Sequence, residues 1–302
     1  MLDISIIVLV VVLGFLAKNT FVEHFSKREN ITLNLLWIYH LSFAILYYFY
    51  VNSTGGDARN YWFTVKENTS IGFLDYFQQG FGTYSMYAIN YFPSAVLDLS
   101  FLTGSIAYSL LGYLGFIYLF VIFRDRIKFN SKLFGIQLFP IILFLPNLHF
   151  WTCNVGKDTI LFLCIVVVFY AMQAPKKHLL KIILSLVIAY FVRPHIAAFL
   201  LVSFGLGLIL DGNLKMYYKL LFSVGIMIVF IVFFDAVMAY LRIESFDLDT
   251  ISSYSEDKAT KLSRDYTGSS VDISSYPYPL KVFTFLFRPL FFDINGPLAI
   301  VA

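Results

Sequence analysis

The sequence predicts an all-α protein, a polytopic transmembrane helix bundle of about eight to nine spans with two long outer-face loops. Of its 302 residues, 59% are hydrophobic and only 14% are charged, whereas an ordinary globular protein has about 25% charged residues. The chain also contains 34 Phe and 21 Tyr residues, which suit a lipid-facing surface and the aromatic belts at headgroup level. A soluble fold has too little interior for so much apolar surface, so a bilayer is the expected solvent.

The spans follow from the length of the apolar stretches. A helix needs about 20 apolar residues to cross the hydrocarbon core, and shorter helices suffice where flanking residues reach the headgroups. The stretches that qualify are approximately 2–17, 31–51, 99–123, 133–150, 159–173, 179–192, 196–210 and 217–241. The stretches 179–192 and 196–210 are short enough to be one broken span instead of two. A further apolar stretch, 282–302, is interrupted by charged residues and prolines, which predicts an interfacial segment or the start of a further span in a truncated chain.

The distribution of basic residues predicts the orientation of this single transmembrane domain, 1–302. Twelve of the 22 lysines and arginines lie in the shorter of two alternating sets of loops: Lys18, Lys27, Arg28, Arg124, Arg126, Lys128, Lys132, Lys176, Lys177, Lys181, Lys215 and Lys219. By the positive-inside rule this set is cytoplasmic, which places the amino terminus outside. The outer face then holds two long loops, 52–98 and 242–281, and two tight connections at 151–158 and 193–195.

Composition and motifs exclude several classes of function. The net charge of +3 argues against a nucleic-acid partner, because nucleic-acid binding needs a concentrated basic surface. The run from Gly156 to Thr159 resembles the end of a phosphate-binding loop. That motif needs an earlier glycine at the position of Trp151 and a Ser or Thr at the position of Asp158, so the chain does not match it. The sequence has no zinc-hydrolase or serine-hydrolase motif, so it predicts no metal and no cofactor.

Basic residues at the mouths of two outer-face helices predict an anion site. The fifth and seventh spans run inward, so the partial positive charge of their amino-terminal ends faces outward. Lys157 precedes the first of them, with Asp158 as the expected cap, and Arg193 precedes the second, with Pro194 at a favoured first-turn position. Free helix N–H groups, a helix dipole and a fixed cation together bind phosphate or pyrophosphate.

Four more residues complete the predicted site. His195, two residues after Arg193, could act as a general base, since imidazole titrates near neutral pH. Asp57 is the second candidate for acid or base chemistry, and Arg288 and Arg264 could add further guanidinium groups. The simpler alternative is that the cations reach lipid headgroups and that His195 forms an interfacial hydrogen bond.

Four short motifs resemble those of bacterial envelope-polysaccharide membrane proteins. They are Gly-Gly-Asp-Ala-x-x-Tyr around Asp57, Phe-Trp-x-x-x-x-Gly-Lys-Asp at 150–158, Arg193-Pro194-His195 and Phe287-Arg288-Pro289. The chain is similar to the Wzy and EpsG-like polymerases and to the related O-antigen ligases. The motifs are short, but the topological resemblance covers most of the chain, which has fewer spans than such polymerases usually show.

The resemblance implies a metal-independent glycosyltransferase that uses undecaprenyl-diphosphate-linked saccharides at the outer face of the bacterial cytoplasmic membrane. It implies that Arg193, and with it Arg288, binds the diphosphate and that His195 or Asp57 is the base. Membrane lipid and the polyprenyl-diphosphate-linked glycan are the implied partners. Two alternatives stay open: a transporter or flippase of lipid-linked saccharide, which the mid-span residues His40 and Asp235 would serve, and a non-catalytic assembly subunit that docks through loop 242–281.

Overall fold

The computed structural model describes residues 2–21, 25–68, 70–210, 215–241, 253, 256, 260 and 276–287. These residues are predominantly helical, with one antiparallel hairpin of two-residue strands, β1 (Lys132–Leu133) and β2 (Ile136–Gln137). The chain divides into two compact units, Met1–Phe233 and Phe234–Ala302. In the second unit the structure describes the last turns of one helix and the helix Tyr278–Phe287, and the predicted loop 242–281 lies largely outside the described residues.

The helices in chain order are α1 (Leu2–Ala17), α2 (Lys27–Thr54), α3 (Asp57–Glu67), α4 (Phe73–Gln78), α5 (Thr83–Asn90), α6 (Phe101–Arg126), α7 (Leu138–Ile141), α8 (Pro146–Thr152), α9 (Lys157–Ala171), α10 (Leu179–Val192), α11 (Pro194–Leu210), α12 (Met216–Leu241) and α13 (Tyr278–Phe287). A π-helical turn, Tyr91–Val96, follows α5. Among the described residues, three helical segments are long and apolar enough to cross a membrane, namely Leu2–Thr20, α2 and α6. Helices α8 and α9 pass the same test as a pair bent by 110°, and the apolar parts of α10, α11 and α12 are shorter.

The outward faces of the long helices are apolar, which is compatible with a membrane protein. Ile4 and Val8 on α1 are 68% and 57% exposed, and Phe49 on α2 is 66% exposed. The inward faces form a separate core that includes Trp37 and Phe116. An apolar exterior around an apolar interior is expected when lipid surrounds the helices, because exposed apolar side chains then cost nothing.

Close approaches between helices hold this core together. A Cβ atom at Gly14 of α1 would overlap the indole ring of Trp37, whose Nε1 donates to the backbone carbonyl of Val11 at 3.1 Å. The hydroxyl of Tyr113 on α6 donates to the carbonyl of Leu33 on α2 at 2.9 Å. A small residue and two hydrogen bonds to helix backbone thus join α1, α2 and α6.

The segment 133–150, predicted as the fourth span, is not one helix. It contains β2, α7, a 3-10 turn at Ile142–Phe144 and the first residues of α8. Pro140 and Pro146 lie within it, and a proline in a helix interior removes a hydrogen bond and clashes with the preceding turn. The apolar residue count was therefore a poor guide here, since hydrophobicity alone does not detect these breaks.

The predicted long loop 52–98 is also largely helical, because it contains α3, α4, α5 and the π-helical turn. These elements form a second core around Val65, Tyr76 and Ala88, all of them buried. We call residues 57–96 the helical cap. It packs on α6 and on the end of α10, and it carries Asp57.

Candidate anion-binding pocket

A pocket of about 140 Å³ lies where the helical cap meets α8, α9 and α10. Its described lining residues are Tyr47, Asp57, Ala58, Tyr61, Trp151, Asn154, Val155, Gly156, Lys157, Asp158 and Arg193. The lining thus includes two cations and two carboxylates from three separate parts of the chain. Pockets for whole drug-sized ligands measure roughly 300–1,000 Å³, so this smaller pocket fits a headgroup-sized moiety.

Asp57 reaches the pocket because two glycines turn the chain sharply after α2. Gly55 and Gly56 have φ angles of 76° and 137°, a region that residues with a Cβ atom rarely adopt. Helix α3 then begins at Asp57, which lies exposed in its first turn. A carboxylate at this position is stabilised by the partial positive charge of the helix end.

Trp62 fixes α3 against α6. The indole ring is 1% exposed and occupies the space above Gly104, where a Cβ atom would overlap the ring. Its Nε1 donates to the carbonyl of Leu99 at 3.3 Å, and its own carbonyl accepts from the hydroxyl of Ser94 at 2.6 Å. The position of Asp57, five residues earlier on the same helix, is therefore set by buried contacts.

Lys157 lies at the beginning of α9, after the bend that follows α8. The buried side chain of Asn154 lies close to Gly156, where a Cβ atom would be 2.7 Å from its Oδ1. The ammonium group of Lys157 donates to the hydroxyl of Thr83 at 3.2 Å and lies 5.4 Å from the ring centroid of Tyr61. These contacts tie the lysine to the helical cap.

Asp158 does not cap α9, contrary to the prediction. The N-cap residue is Gly156, and no side chain caps this end of the helix. Asp158 lies in the first turn, and its Oδ1 is 3.1 Å from Nη2 of Arg193. The prediction was wrong because the residues next to Asp158 in the sequence do not reveal its partner Arg193, which is 35 positions away in the chain.

Arg193 is the single residue between α10 and α11. Helix α11 begins at Pro194, as its position in the sequence predicts. The carbonyl of Phe191, near the end of α10, accepts from the backbone N–H of Gly82 at 2.9 Å and from the hydroxyl of Ser85 at 2.7 Å. The last carbonyls of a helix lack intrahelical partners, so the helical cap satisfies this one and positions the turn that carries Arg193.

The amino-terminal ends of α9 and α11 lie at the same end of the bundle. The pair Asp158–Arg193 joins the two beginnings. Toward the other ends, a Cβ atom at Gly207 of α11 would lie 3.7 Å from Cε of Met172, which follows α9. Helices α9 and α11 therefore run in the same direction, and both amino-terminal dipoles point toward the pocket region.

Tyr61 contacts both Asp57 and Lys157. This residue is 3% exposed, and its hydroxyl donates to Oδ2 of Asp57 at 3.2 Å, one helical turn earlier. Burial raises the pKa of Tyr61, and the neighbouring Asp57 raises it further. The phenol therefore keeps its proton across the physiological pH range and acts as a donor to the carboxylate.

The other predicted site residues do not all join this group. The pocket includes Asp57, Lys157 and Arg193, whereas His195, in the first turn of α11, is not among its described lining residues. Arg264 and Arg288 lie outside the described residues. The pocket is also lined by Asp158, Tyr61 and Trp151, which the sequence analysis did not assign to it. For Tyr61 a signal was present: it follows Asp57 by four residues, a spacing that brings two side chains together on one face of a helix.

His40, one of the two mid-span residues that would serve a transporter, is fully buried and paired with the equally buried His149. Their Nδ1 atoms are 2.8 Å apart, and Nε2 of His149 is 2.7 Å from the carbonyl oxygen of Leu143. The ring of His149 stacks on Phe116 with a centroid separation of 4.2 Å. The side chain of Asp235 is outside the described part of the chain.

The pocket combines groups for two tasks. Lys157, Arg193 and the amino-terminal end of α9 supply positive charge and hydrogen-bond donors for an oxyanion. Asp57 supplies a carboxylate within the same small space, and that group can accept a proton. No family model, no curated protein and no solved structure matches the chain.

Proposed function

We propose that this protein is a membrane glycosyltransferase that acts on polyprenyl-diphosphate-linked saccharides in the synthesis of a bacterial envelope polysaccharide. One observation carries the proposal: Lys157, Arg193 and Asp57 line the same pocket, beside the amino-terminal end of α9. Two cations at a helix end suit a diphosphate, and an adjacent carboxylate suits a hydroxyl acceptor. The apolar outer surface of the helices suits the polyprenyl chain.

The proposed step needs no group beyond the substrate and these side chains. The acceptor hydroxyl oxygen attacks the anomeric carbon and forms the new glycosidic bond, while the bond from that carbon to the diphosphate oxygen breaks. The diphosphate leaves with the electron pair, and Lys157 and Arg193 stabilise its charge. The acceptor proton passes to Asp57, which we favour over His195 as the base because Asp57 shares the pocket with both cations.

We also propose that the pocket faces the outside of the cytoplasmic membrane and that the chain has about eight or nine spans with an external amino terminus. The contacts of Arg124 with Glu29 and of Lys181 with Tyr118 occur at the ends of α6 and α10 remote from the pocket, where the short basic loops lie.

Cysteines introduced one at a time test the orientation, because native Cys153 and Cys164 are buried. A membrane-impermeant maleimide should label Ser70→Cys and not Asp125→Cys in intact cells, and the reverse result would invert the topology.

The flippase alternative has less support. It requires polar residues along a path through the bundle, and His40, which suggested such a path, is enclosed and paired with His149. We therefore retain the transferase proposal.

Complementation tests the proposed function directly. A strain deleted for this gene should lose long envelope glycan and accumulate short lipid-linked saccharides, and the wild-type gene should restore the long product. Asp57→Asn and Arg193→Ala should fail to restore it at matched membrane expression. Arg59→Ala and Asp125→Asn are the controls, because Arg59 contacts Asn52 and Phe63 and Asp125 pairs with Arg124, all outside the described pocket lining. Full activity of both pocket variants would refute the proposal.

A further inference from the structure

One of the two cations in the pocket has an internal counter-ion. Arg193 pairs with Asp158 at 3.1 Å, and both residues line the pocket. Lys157 makes no such close ion pair within the described part of the chain: its ammonium group contacts the hydroxyl of Thr83 and the ring of Tyr61, and the carboxylates of Asp57 and Asp158 attract it from a greater distance. An anion that enters the pocket must therefore displace a carboxylate to reach Arg193, but not to reach Lys157.

The Asp158 carboxylate contacts Arg193 through a guanidinium nitrogen that can also donate to a phosphate oxygen. Guanidinium groups bind carboxylate and phosphate oxygens with the same donors and the same geometry. Asp158 also lies in the first turn of α9, where the helix dipole attracts any anion. A ligand phosphate and this carboxylate thus compete for one arginine and one helix end.

The pair is suited to exchange. The side chains of Arg193 and Asp158 are 33% and 48% exposed, and ion pairs open to solvent hold together weakly. The Asp158 side chain can therefore turn toward water when a stronger anion arrives. Arg193 would keep its place meanwhile, because the hydrogen bonds from Gly82 and Ser85 fix the neighbouring backbone at Phe191.

We propose that Asp158 is an exchangeable counter-ion: it holds Arg193 in the empty pocket, yields to a ligand diphosphate and returns as the diphosphate leaves. The inference rests on the proposed function, since it presumes a diphosphate ligand. It gives Asp158 a role in product release. An Arg193 without a counter-ion would retain the leaving diphosphate, and the returning Asp158 carboxylate weakens that retention.

Binding of inorganic pyrophosphate to the detergent-purified full chain tests this role, with calorimetry as the readout. Asp158→Asn should bind pyrophosphate about fivefold more tightly than wild type, a change of about 1 kcal/mol. Asp158→Ser should behave likewise, and it retains a side chain that suits a helix beginning if the Asn variant folds poorly. Glu67→Gln removes the same charge from the helical cap outside the described pocket lining and should leave the affinity unchanged.

Arg193→Ala separates failure of this inference from failure of the proposed function. It should weaken pyrophosphate binding, and the double variant with Asp158→Asn should show no gain over Arg193→Ala alone. If Arg193→Ala binds as wild type does, or if wild type binds no pyrophosphate, the anion site itself is refuted. If Arg193→Ala weakens binding while Asp158→Asn and Asp158→Ser weaken it or leave it unchanged, only the counter-ion role is refuted.

Discussion

The hydroxyl of Ser85 donates a hydrogen bond of 2.7 Å to the backbone carbonyl of Phe191. This bond joins the helical cap to the end of α10, two residues before Arg193. We expect Ser85→Ala to destabilise the protein by about 1 kcal/mol, because a hydrogen bond is lost while the N–H of Gly82 still serves the carbonyl. Thermal unfolding in detergent measures the effect.

Ser70→Ala is the control for that prediction, since the exposed Ser70 hydroxyl donates to the nearby Asn68 side chain and makes no other hydrogen bond to the described residues. It should leave the unfolding temperature unchanged. Equal stability of the Ser85 and Ser70 variants would show that the cap does not depend on this contact.

Tyr61→Phe should lower turnover more than substrate binding. The change keeps the buried ring and removes the hydroxyl that orients the Asp57 carboxylate. We expect kcat to fall about tenfold with KM nearly unchanged, since general-base catalysis depends on the position of the base. The substrate for the assay is the lipid-linked saccharide extracted from the deletion strain.

Tyr76→Phe is the matched control for Tyr61→Phe, because Tyr76 is another buried tyrosine of the helical cap and does not line the described pocket. It should keep wild-type kcat. A parallel rise in KM and loss of kcat for Tyr61→Phe would assign the hydroxyl to substrate binding instead.

Gly112→Ala should destabilise the bundle by several kcal/mol. A Cβ atom at Gly112 would overlap the backbone carbonyl of Thr152 and lie 2.6 Å from Nε2 of His40. Backbone cannot move aside as cheaply as the end of a side chain, so about 3 kcal/mol is expected for overpacking at this point. Gly225→Ala in α12 is the control: among the described residues, no atom outside its own stretch of helix backbone lies within 4 Å of the added Cβ atom, and alanine favours a helix over glycine. Similar unfolding temperatures for both variants would contradict the close approach.

The buried histidine pair should show a coupling energy in a double-mutant cycle. The Leu143 carbonyl can only accept, so Nε2 of His149 carries a proton, its Nδ1 accepts, and Nδ1 of His40 donates. Replacing His40 by Phe leaves Nδ1 of His149 unpaired, and replacing His149 leaves both Nδ1 of His40 and the Leu143 carbonyl without this partner, at a cost of about 1–3 kcal/mol for each unpaired atom. Replacing both should cost less than the sum, and additive effects on unfolding free energy would show that the two rings do not interact.

The sequence predicted that Lys157 and Arg193 lie at the same end of the bundle, because each lies at the beginning of a helix. Apolar length and loop charge assigned a direction to each helix, and the beginnings of two helices that run the same way fall at one end. The structure has both side chains in one pocket. Asp158 was misread, because its partner depends on how α9 and α10 pack and not on its neighbours in the chain.

The helical cap was missed although its first helix carries a readable signal. Ala58, Tyr61, Trp62 and Val65 recur at the spacing of one helix face, and all four are buried. The segment between two apolar spans was interpreted as a loop because it is more polar than its neighbours. An amphipathic period is the better guide in such a segment, and at 133–150 proline positions would have been a better guide than hydrophobicity.

The proposed base and the two cations belong to different parts of the chain. Asp57 lies on the helical cap, whereas Lys157 and Arg193 begin or precede helices of the bundle. Among the described residues, the contacts that tie the cap to these cations include the bond of Lys157 to Thr83 and the bonds at Phe191. The site is therefore divisible: movement of the helical cap away from α9 and α10 would take Asp57 out of reach of both cations, whereas Lys157 and Arg193 would stay together on the bundle.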